Sequence, residues 1–163
     1  MFISVVIPTY NRRSILEKCL QALEHQDPSG EIENYEVVVV DDGSSDGTPD
    51  WLRQEAARFP HIRLVEQQHG GPAEGRNRGV DHAKGDVIVF IDSDLVVTSS
   101  FLASHARALS RRWNQQGNRL CFTYGAVINT ANFDQPTAER HKLRDLSWAY
   151  FATGNVAIDR DVL

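Results

Sequence analysis

Four consecutive valines, Val37-Val38-Val39-Val40, limit what this chain can fold into more than any other feature. Branching at Cβ suits a pleated surface and costs side-chain freedom in a helix. A strand with one wet face alternates apolar and polar residues. An unbroken apolar run predicts a strand covered on both faces, the usual condition of parallel strands in an α/β protein. Phe2 to Ile7 and Val87 to Ile91 read the same way, with Ile62 to Glu66 and Phe122 to Ile128 as further strands.

The segments between these runs have helical spacing. Ile15, Leu16, Cys19, Leu20 and Leu23 form one apolar stripe, with Ser14 and Glu17 as a capping box ahead of it. Thr48 and Pro49 predict a helix start, with Trp51, Leu52, Ala56 and Phe59 as its buried face. Gly70-Gly71-Pro72 opens a helix that runs through Val80 and Ala83. Ser99 or Ser100 caps another, with Phe101, Leu102, Ala106, Leu109 and Trp113 inward. Strands alternating with helices imply an α/β fold with a mostly parallel central sheet. Residues 129–147 are polar and mixed, and no element is assigned to them.

Length and charge narrow the function. The 163 residues suit one domain. A net charge of −5 gives no support to nucleic-acid binding. Arg107, Arg111, Arg112 and Arg119, and then Arg140, His141, Lys142 and Arg144, read as solvated faces. Cys19 and Cys121 read as buried free thiols, and the six histidines as surface or half-buried fillers. With no leader visible and no apolar run near the roughly 20 residues that span a bilayer, a cytoplasmic location is expected, with peripheral membrane association through regions outside this sequence.

Three polar clusters follow strand ends: Thr9-Tyr10-Asn11, Asp41-Asp42 and Asp92-Ser93-Asp94. Ligands of open α/β sheets bind outside the carboxyl ends of the strands, so the three should meet in one crevice. Two carboxylates a residue apart at a strand end call for a cation. Hard oxygen ligands with open positions suit magnesium or manganese, completed by phosphate and water. A carboxylate of the Asp41-Asp42 pair can take hydrogen bonds from a nucleobase imide or a ribose, with the other spent on an Asx turn. Gly70-Gly71 either brings backbone close to a flat base or simply begins a helix. Arg76, one turn into that helix, can reach a diphosphate, whereas Arg78 belongs to the surface.

The ordered set Ile7-Pro8-Thr9-Tyr10-Asn11, Val40-Asp41-Asp42-Gly43-Ser44-Ser45-Asp46-Gly47-Thr48, Gly75-Arg76-Asn77-Arg78-Gly79 and Gly85-Asp86-Val87 through Asp92-Ser93-Asp94 closely resembles family 2 glycosyltransferases. The resemblance runs from Ile3 to about Leu102 and resumes at Thr153-Gly154-Asn155. It implies a GT-A fold, a three-layer sandwich, with residues 1–102 holding the donor and 103–163 beginning the acceptor part. It further implies that Thr9 and Asp42 contact uracil or its equivalent, supported by Pro8, Tyr10, Asp41, Gly71 and Ser93. Arg76 would serve the diphosphate, Asp92 the ribose or a metal-bound water, and Asp94 the divalent metal. Gly154 and Asn155 would line the acceptor side.

The implied reaction is inverting transfer of a sugar from a nucleoside diphosphate sugar, UDP-linked by expectation, to a hydroxyl of a carbohydrate or lipid-linked acceptor. That family's general base lies in an acidic motif beyond the Gly-Asn segment. This sequence reaches Leu163 before such a motif, so the catalytic base is expected outside it and the isolated chain is expected to be inactive. A nucleotide-sugar-binding module without turnover is the alternative. A nucleotidyltransferase ranks lower, because Pro8-Thr9-Tyr10-Asn11 is not a Gly-rich loop. A dinucleotide site is excluded, since no GxGxxG follows the first strand.

Overall fold

The structure, a computed structural model, describes residues 1–128, 146–147 and 154–163. The basic group Arg140, His141, Lys142 and Arg144, the aromatic residues Trp148, Tyr150 and Phe151, and Thr153 lie outside the described residues.

Six strands form the main sheet. In chain order they are β1 (Phe2–Thr9), β2 (Asn34–Asp41), β3 (Ile62–Glu66), β4 (Val87–Ile91), β5 (Phe122–Tyr124) and, after a short separate pair, β8 (Asn155–Asp159). The separate pair is β6 (Val127–Ile128) with β7 (Leu146–Ser147), antiparallel. Spatial order in the main sheet is β3-β2-β1-β4-β8-β5. The first four are parallel, and β8 lies antiparallel between β4 and β5. The chain therefore steps outward from β1 to β3, then crosses back to place β4 on the other side of β1. The carboxyl ends of β1 and β4 flank that switch point.

The valine run is covered on both faces, as its composition predicts. Val37 and Val39 face α1 (Arg13–Glu24), α2 (Thr48–Gln54) and α4 (Phe101–Gln116) in one large cluster with Leu16, Leu20, Trp51, Leu102 and Leu109. Val38 and Val40 join Val6, Ile88 and Phe90 on the opposite face, under α3 (Pro72–His82). Helix α3 sits unusually close to the sheet because Gly79 has no side chain. A Cβ there would lie 2.3 Å from Val6 Cγ1.

Several local expectations are corrected. Ser14 and Glu17 form no capping box. Helix α1 begins at Arg13, whose N–H donates to Asp46 at 3.0 Å, while Glu17 pairs with Arg58. Thr48 is not a cap either, since Gly47 holds that position and Thr48 donates through both N–H and Oγ1 to Asp46. One carboxylate, Asp46, thus serves two helix starts. Helix α2 stops at Gln54, so Ala56 is exposed. The strand read over Phe122 to Ile128 breaks at Gly125, whose open α-carbon makes room for Asn155. His105 is buried rather than a surface or half-buried filler, and Cys121 is only half-buried. Arg107, Arg111, Arg112 and Arg119 are exposed as expected, Arg119 lying over the Trp113 ring.

Candidate functional site

A crevice of about 470 Å³ opens at the carboxyl ends of β1, β2 and β4. Pro8, Thr9, Tyr10, Asp42, Arg76, Asp92, Ser93 and Asp94, all singled out in the sequence, line it. Arg12, His69 and Pro72 complete the lining. Asp41, Gly71, Gly154 and Asn155 do not line it, although Gly71 N–H bonds the lining Asp42 and Gly154 packs against the lining Asp92.

The loops that carry these groups are clipped to each other. Asn11 adopts a left-handed conformation (φ 51°). Its N–H donates to Ser44 Oγ at 2.9 Å, and its Oδ1 accepts from Ser45 N–H at 2.7 Å. Asn is one of the few residues that tolerate this backbone. The clip ties the loop after β1 to the loop after β2 and presents Tyr10 and Arg12 on either side of it.

The aspartates divide their work. Asp41 Oδ2 accepts from Ser44 N–H at 2.9 Å, the Asx turn expected of one member of the pair. Asp42 is buried, and its oxygens are taken by its own chain. Oδ1 accepts from Gln67 Nε2 at 2.7 Å and Gly70 N–H at 2.8 Å. Oδ2 accepts from Gly71 N–H at 2.8 Å and lies 2.8 Å from His69 Nδ1. Burial works against its charge, but the bonds from Gly70, Gln67 and Gly71 and the nearby His69 outweigh that and hold the carboxyl below its ordinary range. Asp42 therefore anchors the 67–71 loop, and His69 stacks on Tyr10 with ring centroids 4.3 Å apart.

Asp92 and Asp94 are half-exposed and each meets an arginine. Arg76 Nη2 lies 2.6 Å from Asp92 Oδ1, and Arg12 Nη1 lies 2.5 Å from Asp94 Oδ2. Gly154 lets β8 press against this pair, since a Cβ there would come within 2.7 Å of Asp92 Oδ2. Asn155 pairs with Ile91 across the β4–β8 ladder, and its Oδ1 lies 2.9 Å from Nε2 of His105, whose Nδ1 is 2.7 Å from Thr123 Oγ1. Burial lowers the His105 pKa, with the Asn155 bond opposing in part. Beneath the pair, Cys19 is buried near the Asp92 carbonyl. Burial, then the charges of Asp94 and Asp92, push its thiol up to about 12, so it stays protonated.

Asp92 and Asp94 fit a hard divalent ion only as part of its shell. Among the described residues, no three His, Cys, Asp or Glu side chains are grouped to hold an ion. Two carboxylates one residue apart can supply part of an octahedral shell, leaving the rest to phosphate and water. Two buried polar atoms at the crevice have no partner within the protein, Thr9 Oγ1 and Arg76 Nε, and buried polar groups of this kind call for a ligand or water.

Sequence reasoning missed Arg12, His69 and His105. Arg12 directly follows the first polar cluster and His69 directly precedes Gly70-Gly71, so chain position was the available signal. Nothing local marks His105, which reaches Asn155 across a sequence separation of 50.

Comparison with known proteins bears on the family and the fold. The chain is 38% identical over 104 residues to a poly(ribitol-phosphate) beta-glucosyltransferase of Bacillus spizizenii, covering 63% of this chain and 16% of the relative. It is similar to S. aureus TarS (residues 1–349), solved in complex with UDP-GlcNAc, at 32% identity and a TM-score of 0.59 over 68% of this chain and 32% of that one. The mannosyltransferase PcManGT from Pyrobaculum calidifontis, solved with GDP-Man and Mn2+, matches 98% of this chain and 44% of its own, with 26% identity and a TM-score of 0.70. The chain spans less than a third of the length of the curated relatives it matches first. The GT-A fold is common to these neighbours, the model of glycosyl transferase family 2 matches residues 4–163, and the chain belongs to that family.

Proposed function

We propose that the crevice holds the nucleoside diphosphate part of a sugar donor, preferably UDP, together with magnesium or manganese. The protein then passes the sugar to a carbohydrate or lipid-linked acceptor hydroxyl with inversion. One observation carries this reading: Thr9, Arg76, Asp92 and Asp94 converge on one crevice at the topological switch point.

Pro8 and Thr9 floor the base slot, and the unspent Thr9 hydroxyl is its polar contact. Tyr10 offers an aromatic face to the base. Asp42, with Asp41 behind it, holds the Gly70-Gly71 backbone that walls the slot, since its own oxygens are already engaged. Arg76 reaches the diphosphate, Asp92 the ribose or a metal-bound water, and Asp94 the metal, with Ser93 between them. A bound metal would neutralise charge on the departing diphosphate. Gly154 and Asn155 border the acceptor's approach. Asp159 pairs with Val87 at the start of β4, four ladder positions, or about 13 Å, from the Ile91–Asn155 pair. Neither it nor Asp161, two residues on, is positioned as the base.

Calorimetric titration of UDP, GDP and ADP, with manganese and with chelator, tests the reading. UDP should bind tightest, and manganese should strengthen it. Asp94→Ala should remove the manganese dependence, a loss of about 5-fold to 150-fold, the usual range for coupled sites. Equal affinity in parent and variant under both conditions would refute the metal role. A preference for GDP would refute the base assignment alone. Both readings expect this chain alone to bind without transfer, so binding with no transfer by a longer form carrying the downstream acidic motif would favour the module without turnover.

A further inference from the structure

We propose, resting on the donor-site reading above, that Arg12 and Arg76 are internal counter-ions that make divalent-metal binding conditional on a diphosphate, with Arg12 standing in for the metal at Asp94. The two carboxylates that would hold an ion are each engaged by a guanidinium, at 2.5 Å for Asp94 and 2.6 Å for Asp92. These cations come from opposite walls. Arg12 follows the Asn11 clip after β1, and Arg76 lies on α3 with only 17% of its side chain exposed.

The charges lining the crevice explain the conditionality. Arg12 and Arg76 stand against Asp42, Asp92 and Asp94, two positive groups against three negative. A bare divalent ion would turn this slight excess of negative charge positive and push both guanidiniums off their carboxylates without offering either a new acceptor. A diphosphate arriving with the metal restores the negative balance. It also gives each guanidinium a new acceptor whose geometry suits its planar fork. The exchange is one of partners: arginines move from carboxylate to phosphate as the carboxylates move from arginine to metal. Arg12 is the sharper test of the two, because its side chain is half-exposed and can swing out without repacking.

Thermodynamic reciprocity makes the idea measurable. If UDP strengthens manganese binding by some factor, manganese strengthens UDP binding by the same factor. Free manganese is read by its electron paramagnetic resonance signal on the full chain, with UDP as the probe. For the parent, manganese alone should bind weakly and UDP should tighten it. Arg12→Gln should tighten manganese alone by about fivefold to tenfold, as expected for removing one positive charge beside a half-solvated site. The same variant should shrink the UDP–manganese coupling factor. Arg12→Lys should lie between parent and Gln, and Arg111→Gln, a remote surface change, should match the parent. A circular dichroism melt of each variant confirms folding. Unchanged or weaker manganese binding in Arg12→Gln, or an unchanged coupling factor in a folded variant, would overturn the proposal. Absence of UDP binding in the parent with and without manganese would instead overturn the donor-site reading, while the manganese-only arm would still decide the role of Arg12.

Discussion

At the amino end of β1, Ser4 is fully buried and shares its hydroxyl between Glu36 Oε1 at 2.7 Å and the Gly85 N–H at 2.8 Å. Lys84 N–H joins the same carboxylate, Asp86 Oδ2 accepts from Phe2 N–H, and the Arg160 guanidinium donates to the Ala83 carbonyl. At the carboxyl end of the same sheet the polar groups meet each other as ion pairs built on half-exposed carboxylates, Asp92 with Arg76 and Asp94 with Arg12. The first end spends its polar side chains on backbone and closes the fold. The second keeps them in pairs whose carboxylates water can reach, and the more exposed of them, Arg12 with Asp94, is worth at most about 1 kcal/mol to stability. Contacts that weak are the ones a ligand can replace.

Asp42 is the point where this contrast can be broken most severely. It sits at the ligand end yet behaves like the closed end, because its oxygens bond Gln67, Gly70 and Gly71. Asp42→Ala would strand two backbone N–H groups and is expected to cost about 3 kcal/mol in urea unfolding. Asp94→Ala, in the same crevice, should stay within about 0.5 kcal/mol. Equal losses in the two variants would erase the distinction. The Asp42 pKa lies below its unfolded value, so its contribution is present above about pH 4 and lost as pH falls further.

Ser4→Ala makes the converse test. It leaves the Gly85 N–H without its acceptor and should cost about 1–3 kcal/mol. UDP affinity should not change, since Ser4 is at the other end of β1. A matching fall in UDP affinity would show that the two ends are coupled.

The smallest effect belongs to His105. Its pKa is depressed mainly by burial, so above about pH 6.5 it costs nothing, and below that the unfolded chain takes up the proton first. Stability should therefore fall as pH drops from 6.5 toward 5, and His105→Gln should flatten that slope. A parent whose melting temperature is level across this window would contradict it.

The two ends also differ in how far they could be read from the sequence. Apolar runs ending in Thr9, Asp42 and Asp92 placed the crevice correctly, because strand direction and a short polar cluster are both local signals. The register of β8 was not legible, since Gly154-Asn155 reaches β4 from more than 60 residues away. Side-chain partnerships were the least legible. Two aspartates after a strand announce a need for positive charge, but only the folded chain shows that Arg12 and Arg76 meet it. The helix starts failed for the same reason: Ser14 and Thr48 look like caps locally, and Asp46, from a loop between them, takes both roles.

The placement of β8 has a consequence for how this sheet comes into being. Strand β4 follows its neighbour β1 in the chain and can pair with it once both are made, but its other neighbour is β8, separated from it by the 63 residues between Ile91 and Asn155. During synthesis, at about 5–20 residues per second, residues 87–91 wait several seconds with one edge bare. Strand β5 emerges in that interval and is parallel to β4, so it can dock in the vacant place. Correct completion then requires β8 to insert between two strands already present. An apolar edge left open for seconds is where premature pairing between nascent chains would begin.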